Sequence, residues 1–254
     1  MEDRFEVKEE IRMNEEKFTG KADVYDRYRP SYPSELIDWL YEKTHAETVA
    51  DIGAGTGIFT KCLTVKPWQI TAVEPNADML EKLRGNLSGI EIVNAPAEDT
   101  GMPSASVGLV TAAQAFHWFD KKKFAAECGR IFTPNGRLAV IWNTRTETDM
   151  QKERNEIFLR NAGQYDSVNG NANADGKFAP EKYFSEYERV SFLQSMTMDT
   201  EQYVGCEMSR SYAPKKGTPL YDVQLDELTQ LFEKYQTGGI VDVPYITDCF
   251  LGKF

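Results

Sequence analysis

Three alternating glycines after a short apolar segment near position 50 restrict the fold more than any other feature of the chain. Residues 48–52 are apolar and short enough for a buried strand, and Gly53, Gly55 and Gly57 follow directly. Glycine lets the backbone turn sharply and lets a ligand approach the main chain. The N-terminus of a following helix would present free N–H groups. The pattern therefore predicts a strand, a tight turn and a helix that together hold a ligand.

The spacing of these glycines separates the turn from two common nucleotide motifs. A dinucleotide-binding turn has the pattern G-x-G-x-x-G, whose third glycine would fall at Ile58. The phosphate-binding motif G-x-x-x-x-G-K-[ST] is absent, because no Lys-Ser or Lys-Thr pair follows. A nicotinamide dehydrogenase is therefore disfavoured. A turn without any ligand is the other alternative, but three glycines in five residues would be costly without need.

A carboxylate at the end of the second predicted strand is the next signal. Glu74 follows the apolar segment 69–73 and lies seventeen residues after Gly57. At this place in a doubly wound sheet a carboxylate can accept both hydroxyls of a ribose. A solvated strand-end acid is the alternative. The combination with the glycine turn favours the ribose.

Strand-like and helix-like segments alternate from residue 48 to residue 142, at a spacing typical of βαβ units and a parallel sheet. We predict strands over residues 48–52, 69–73, 90–93, 107–112, 137–142, 187–198 and 241–254. Helices are predicted over residues 34–41, 57–65, 149–160, 200–211 and 221–236, with two more after the N-cap residues Asn76 and Asp120. Residues 133–136 are typical of a turn and residues 163–177 of a mobile loop, while Pro244 suits a bulge or the start of a pairing segment.

Charge and cysteine content restrict the partners, metals and cellular location that we expect for this protein. The 254 residues include 40 acidic and 29 basic side chains, a net charge of −11 that disfavours nucleic acid and anionic membranes. The sequence has no run of about 20 apolar residues, so we expect no transmembrane helix. The charged N-terminus lacks a signal-peptide pattern. The four cysteines have wide, irregular gaps, which disfavours a zinc site or disulfide framework. We therefore expect no metal and a cytoplasmic location.

Four segments of the chain form a recognisable set of motifs. They are DIGAGTG at 51–57, VEPN at 73–76, NAPAED at 94–99 and AQAFHWF at 113–119. With these motifs the chain resembles the class I S-adenosylmethionine-dependent methyltransferases, and within them the type-11 group that includes trans-aconitate and ubiquinone/menaquinone-biosynthesis methyltransferases. The resemblance covers residues 18 to about 142 well and the last third loosely.

The resemblance implies an α/β fold of the Rossmann-like, three-layer type. Its seven-stranded, mostly parallel sheet would have the order 3-2-1-4-5-7-6, with strand 7 antiparallel, and an N-terminal helical cap. We expect one methyltransferase domain over residues 1–254. It would comprise a cap (1–45), a cofactor-binding core (46–143) and a substrate-side region (144–254) that carries helices, the loop 163–177 and the last two strands.

The resemblance also implies S-adenosylmethionine as cofactor, S-adenosylhomocysteine as product and no metal. Position and resemblance together predict three groups of site residues. The cofactor-binding residues are Asp51, Gly53, Ala54, Gly55, Gly57, Glu74, Pro75, Met79, Ala97, Glu98, Gln114, Tyr25 and Arg29. The substrate-binding residues are Tyr28, Trp118 and Phe119.

His117 is the predicted catalytic residue, as a general base or as a donor that orients the acceptor. The alternative is a structural histidine between Phe116 and Trp118. Arg29 is predicted to bind a carboxylate, either of the cofactor's methionine end or of the substrate, because arginine forks suit carboxylates. The alternative is a solvated arginine on an aromatic cap.

The expected reaction is a direct in-line transfer of a methyl group to the carboxylate or hydroxyl of a small-molecule acceptor, by a monomer or a homodimer. A non-catalytic protein that binds S-adenosylmethionine or S-adenosylhomocysteine is the alternative. Nucleic-acid methylation is disfavoured by the charge. It is also disfavoured because residues 113–116 do not form the Asn/Asp-Pro-Pro-Tyr/Phe pattern.

Overall fold

A computed structural model describes residues 22–161 and 178–253 and places seven strands of this part of the chain in one sheet. The order is β3-β2-β1-β4-β5-β7-β6, and β7 runs antiparallel to both of its neighbours while the other pairs are parallel. The predicted Rossmann-like topology is therefore confirmed. The strands are β1 Thr48–Ile52, β2 Gln69–Val73, β3 Glu91–Val93, β4 Val107–Ala113, β5 Phe132–Arg145, β6 Glu186–Met198 and β7 Val241–Lys253.

The described residues also form eight α-helices, which flank the sheet. Asn76 caps one of them by accepting a hydrogen bond from Met79 N at 3.0 Å, and the side chain of Asp120 caps another by accepting from two backbone N–H groups. Both predicted caps are confirmed. The helices are α1 Ala22–Tyr28, α2 Ser34–Thr44, α3 Ile58–Leu63, α4 Ala77–Asn86, α5 Lys121–Ile131, α6 Asp149–Asn161, α7 Thr200–Met208 and α8 Pro219–Tyr235.

The sheet is covered on both faces by apolar side chains. Successive residues of β5 alternate between two buried clusters, with Trp142 in one and Ile141 in the other. The first cluster includes Phe124 of α5, and the second includes Leu36 of α2. Because alternate strand residues point to opposite faces, the sheet is the middle layer of three.

A third apolar cluster joins α6, α7 and α8 to the ends of β6 and β7. Glu207 of α7 is fully buried and pairs with Arg145 of β5 and Arg154 of α6. Burial raises the pKa of Glu207, but the charges of Arg145, Arg154 and Arg210 outweigh it and hold the pKa well below its usual value. The carboxylate therefore stays ionised and joins β5 to α6 and α7.

The predicted turn at residues 133–136 is wrong, because these residues lie inside β5. Val107 of β4 pairs with Phe132 of β5, and the next pair is Leu109 with Arg137. Residues 133–136 lie between these two pairs, so β5 contains more residues than β4 over this stretch. The strand therefore bulges between the two pairs and then resumes its register.

Pro244 lies inside β7 without disturbing its pairing. It faces Ser195 of β6 in regular register, so the predicted bulge is wrong. Pairing with β5 begins at the next residue, Tyr245, which faces Arg145. The alternative prediction, the start of a pairing segment, is confirmed for the pairing of β7 with β5.

Two predictions about the organisation of the chain stay open. The loop predicted at 163–177 lies outside the described residues, and the division of the domain into cap, core and substrate-side region stays a prediction.

Of the helices in residues 22–161 and 178–253, none has the length and apolar character needed to cross a bilayer.

Gly57 and Gly55 form a matched pair for a stability test, because both have positive φ angles, +90° and +59°. Alanine at either position adds about 1–2 kcal/mol of left-handed strain. Only at Gly57 would the new Cβ collide, at 2.6 Å from Leu83 Cδ1 and 3.0 Å from Leu87 Cδ1. Overpacking costs about 1–3 kcal/mol. The free energy of unfolding of Gly57→Ala, measured by urea titration, should therefore be lower than that of Gly55→Ala by this amount. Equal losses would contradict this packing role.

Candidate functional site

A cleft opens at the carboxyl edge of the sheet, where β1, β2 and β4 end. It encloses about 1130 Å³, part of which is open to solvent. Most of the predicted site residues line it: Tyr25, Arg29, Asp51, Gly53, Ala54, Gly55, Glu74, Pro75, Met79, Ala97, Glu98, Gln114, Trp118 and Phe119.

The glycine turn forms the floor of the cleft. The N–H groups of Gly53 and Ala54 both donate to Val73 O, at 2.9 and 3.1 Å, and this joins the turn to the end of β2. A Cβ on Gly53 would lie 2.6 Å from Ala115 Cβ, so the turn packs closely against the segment after β4. A Cβ on Gly55 would have no atom within 4 Å. Gly55 therefore presents bare backbone to the open cleft.

The Glu74 carboxylate is held in one orientation at the tip of β2. It is 7% exposed, and its two oxygens accept hydrogen bonds from Gly55 N and Asn76 N, each at 2.8 Å. The two bonds join the acid to the glycine turn on one side and to the start of α4 on the other. A carboxylate has further acceptor positions, so this orientation is compatible with the predicted ribose contact.

Asp51 lies at the base of the same turn and is buried. Its two oxygens accept hydrogen bonds from the hydroxyls of Thr60 and Thr111, at 2.6 and 2.8 Å, and so link β1 to α3 and β4. Burial raises the pKa of Asp51 to about 6, against the two hydroxyl bonds, which lower it. The carboxyl is occupied by structural partners, and its predicted contact with the cofactor stays a prediction.

Two further predicted polar residues, Glu98 and Gln114, line the cleft. Glu98 Oε1 accepts a hydrogen bond from Asp120 N at 2.7 Å, which connects the segment after β3 to the start of α5. Gln114 has a φ of +56°, which is uncommon for a non-glycine residue. Its Nε2 donates to Asn143 O at 2.7 Å, and its N–H donates to Ile141 O at 2.9 Å. These bonds join the tip of β4 to β5.

The N-terminal segment closes one side of the cleft. The Arg29 guanidinium lies 4.7 Å from the centre of the Tyr25 ring and donates to Ser209 O at 3.3 Å. Its Nε is buried and has no hydrogen-bond partner in the described residues. Arg29 is thus a cleft arginine with an unused donor, and its predicted contact with a carboxylate stays a prediction.

Three predicted residues lie outside the lining of the cleft, as far as the described residues define it. Tyr28 donates its hydroxyl to Glu201 at 2.6 Å, on the side of α7. Gly57 packs against α4. The His117 ring lies 4.4 Å from the Trp118 ring and 5.3 Å from the Trp142 ring, centre to centre. It sits beside the cleft wall, and its catalytic role stays a prediction.

The cleft also contains residues that the sequence reasoning did not assign. Asn143 comes directly after the predicted fifth strand, and this position at the carboxyl edge was the available signal. The rest are apolar or small residues, or neighbours of predicted ones. They are Pro30, Tyr32, Ile58, Phe59, Asn76, Pro96, Ala113 and Ala115. Among residues 22–161 and 178–253, no cluster of three potential metal ligands occurs.

Comparisons with known proteins identify the family. A sequence model described as a methyltransferase domain matches residues 50–140. An uncharacterized methyltransferase of Mycobacterium tuberculosis is 31% identical over 236 residues, which cover 91% of this chain and 93% of that protein. An uncharacterized methyltransferase-like protein of Schizosaccharomyces pombe is 28% identical over 243 residues, or 91% of this chain and 94% of that protein.

Two further similarities concern the cofactor and the fold. A Saccharomyces cerevisiae protein whose name includes S-adenosylmethionine-dependent methyltransferase is 29% identical over 134 residues, or 48% of this chain and 45% of that protein. A solved structure from Anaeromyxobacter dehalogenans, named as a type II methyltransferase, has a TM-score of 0.67 at 24% identity. The match covers 89% of this chain and 98% of that one, and it supports the fold.

The raised pKa of Asp51 predicts a pH-dependent stability difference between the wild type and Asp51→Asn. A carboxyl with a pKa of about 6 in the folded state and about 3.9 unfolded favours folding while protonated, and this contribution is lost as pH rises through 6. Asparagine stays neutral. The variant should therefore gain up to about 3 kcal/mol relative to wild type between pH 4 and pH 7.

Urea titrations of both proteins at several pH values measure this difference. Groups that titrate equally in the two proteins contribute equally to both free energies of unfolding, so their contributions cancel in the difference. A constant difference across this range would mean that Asp51 titrates near its ordinary pKa.

Proposed function

The chain belongs to the class I S-adenosylmethionine-dependent methyltransferases of the type-11 group, and from this premise we propose that it methylates a carboxylate or hydroxyl of a small-molecule acceptor. The observation that carries the proposal is one continuous cleft lined by two kinds of residue. The first are the glycine turn and Glu74, and the second are Arg29 and the aromatic residues Trp118 and Phe119. The first suits a nucleoside and the second an organic acceptor.

The residues present fit the family's cofactor. Gly55 presents open backbone, and the oriented carboxylate of Glu74 would accept the ribose hydroxyls. Met79, Ala97 and Glu98 also line the cleft and would contact the adenine. When bound, S-adenosylmethionine supplies a methyl group that its sulfonium has already activated.

The chain's own contribution is alignment and exclusion of water. In-line transfer needs the acceptor atom about 3–3.5 Å from the reacting carbon. Trp118, Phe119 and Tyr32 line the cleft with rings that can hold an organic acceptor and displace solvent. A hydroxyl acceptor gains from a base that removes its proton, whereas a carboxylate acceptor does not need one.

Charge and cysteine chemistry support the choice of acceptor class and setting. The net charge of −11 opposes binding of nucleic acid, which favours a small acceptor. All four cysteines are free thiols, which supports a reducing cytoplasm. We propose that the protein acts there without a membrane partner, as a monomer or a homodimer.

Arg29 is the proposed carboxylate-binding residue of the cleft. The stacking on Tyr25 fixes its guanidinium, and the buried Nε has no partner in the described residues, so a carboxylate would satisfy it. Two carboxylates are available in the proposed reaction: that of the cofactor's methionine end and that of the acceptor.

Calorimetric titration with S-adenosylmethionine, S-adenosylhomocysteine and NAD tests the cofactor assignment. We expect micromolar binding of the first two and none of NAD. Gly55→Asp should abolish binding, because it places a charged side chain in the open floor of the cleft. Binding of NAD alone, or an unaffected variant, would overturn the assignment.

The same titration with Arg29→Ala separates the two roles of the arginine. A tenfold or larger loss for both S-adenosyl compounds, corresponding to about 1.5–3 kcal/mol for a charged hydrogen bond, would place the cofactor's carboxylate at Arg29. Unchanged cofactor binding with a raised KM for a carboxylate acceptor would place the acceptor there. No change in either would remove Arg29 from ligand binding.

His117→Ala tests the proposed base. With a hydroxyl acceptor, kcat should fall by about 10²-fold or more, since general-base catalysis contributes about 10²–10⁴, while the affinity for S-adenosylmethionine stays within about twofold. His45→Asn, at the exposed end of α2, is the matched control and should leave kcat unchanged. Equal turnover of the His117→Ala variant and the wild type would exclude His117 from catalysis.

A further inference from the structure

A second cavity lies next to the cleft on the same edge of the sheet. It encloses about 730 Å³, part of which is open to solvent. Its walls come from the end of β5, the start of α6, the start of β7, and one tyrosine each from α7 and α8. The proposed transfer reaction uses none of these residues.

The position of this cavity relates it to the cleft. Asn143 lines the cleft, and Arg145, two residues further along β5, lines the cavity. Residues two apart on a strand point to the same face and lie about 7 Å apart. The cavity is therefore an adjoining compartment rather than a remote one.

The cationic part of its wall is rigid. The Arg145 side chain is 6% exposed and pairs with the fully buried Glu207. Its Nε also donates to the Tyr245 hydroxyl at 3.1 Å. The first turn of α6 lies in the same wall, where Thr148 Oγ1 accepts from Gln151 N at 3.1 Å. The free N–H groups of a helix start add partial positive charge there.

Tyr203 supplies a donor without an acceptor. It lines the cavity, is 1% exposed, and its hydroxyl has no hydrogen-bond partner within residues 22–161 and 178–253. The Arg145 guanidinium lies 5.7 Å from the centre of its ring. Burial raises the pKa of Tyr203 well above its usual value, although the Arg145 charge lowers it, so the hydroxyl keeps its proton at neutral pH. A buried hydroxyl in this state requires an acceptor.

Two acidic residues also line the cavity, and both are exposed. Asp149 pairs with Lys152 at 3.2 Å, and Asp242 accepts a hydrogen bond from the Thr197 hydroxyl at 2.6 Å. Their charges are thus solvated and partnered. Val241, Val243 and Met150 make the remaining wall apolar.

We propose that this cavity binds a small organic carboxylate, whose oxygens accept the Tyr203 O–H beside the Arg145 charge and whose apolar part packs on Val241 and Val243. The site is separate from the transfer cleft, and its ligand does not need to be methylated. The proposal therefore holds or fails independently of the acceptor identity.

Fluorine NMR titration of the full chain with 4-fluorobenzoate, in the presence of S-adenosylhomocysteine, tests the site. The matched neutral probe is 4-fluorobenzamide. The variant is Tyr203→Phe, which removes only the unpartnered hydroxyl and should fold with an unchanged or higher melting temperature. The control is Tyr235→Phe, because Tyr235 lines the same cavity but donates its hydroxyl to Glu153 at 2.6 Å.

We expect the wild type and Tyr235→Phe to bind 4-fluorobenzoate with equal Kd. Tyr203→Phe should bind it about tenfold more weakly, as for loss of a hydrogen bond to a charged group, and the neutral probe should bind the wild type more weakly than the carboxylate. Equal Kd values for wild type and Tyr203→Phe, equal binding of both probes, or no binding of 4-fluorobenzoate would each overturn the proposal.

Discussion

The hydrogen bonds that join the glycine turn to the tip of β2 determine the shape of the whole carboxyl edge. Val73 O accepts from two N–H groups of the turn, and the Glu74 carboxylate accepts from a third. Such a turn needs positive φ angles, which glycine adopts without strain. Asp51 fixes the base of the turn from below through Thr60 and Thr111. The cleft exists because these bonds hold the backbone open instead of letting side chains fill the edge.

The C-terminal half depends on a different kind of interaction. Glu207 is fully buried, and the ion pairs to Arg145 and Arg154 compensate its desolvation. They connect the end of β5 to α6, the next helix along the chain, and to α7, which the chain reaches much later. The same arrangement leaves Tyr203 with a buried hydroxyl beside a cationic wall. The second cavity is thus a direct consequence of how the protein stabilises one buried carboxylate.

Where sequence reasoning succeeded, the signal was local. The bounds of β1 and β2 follow from short apolar runs between turn residues, and the caps at Asn76 and Asp120 follow from side chains that accept nearby N–H groups. Where it failed, the pairing partner decided the outcome. Residues 133–136 have turn composition, yet they lie inside β5, between Phe132 and Arg137, which both pair with β4. Asn143 was not assigned, although it directly follows the predicted fifth strand, and its place in the sheet brings it to the cleft.

The sequence by itself determined the order of strands and helices, the glycine turn and the acid that faces it, because backbone requirements and hydrophobic period are written in neighbouring residues. The tertiary structure alone decided which distant side chains meet. It put His117 against Trp142 and Tyr28 against α7, and it brought Arg145, Tyr203 and Glu207 together across some sixty residues. Such contacts depend on the packing of helices on the sheet edge, and no local pattern encodes the distance between them.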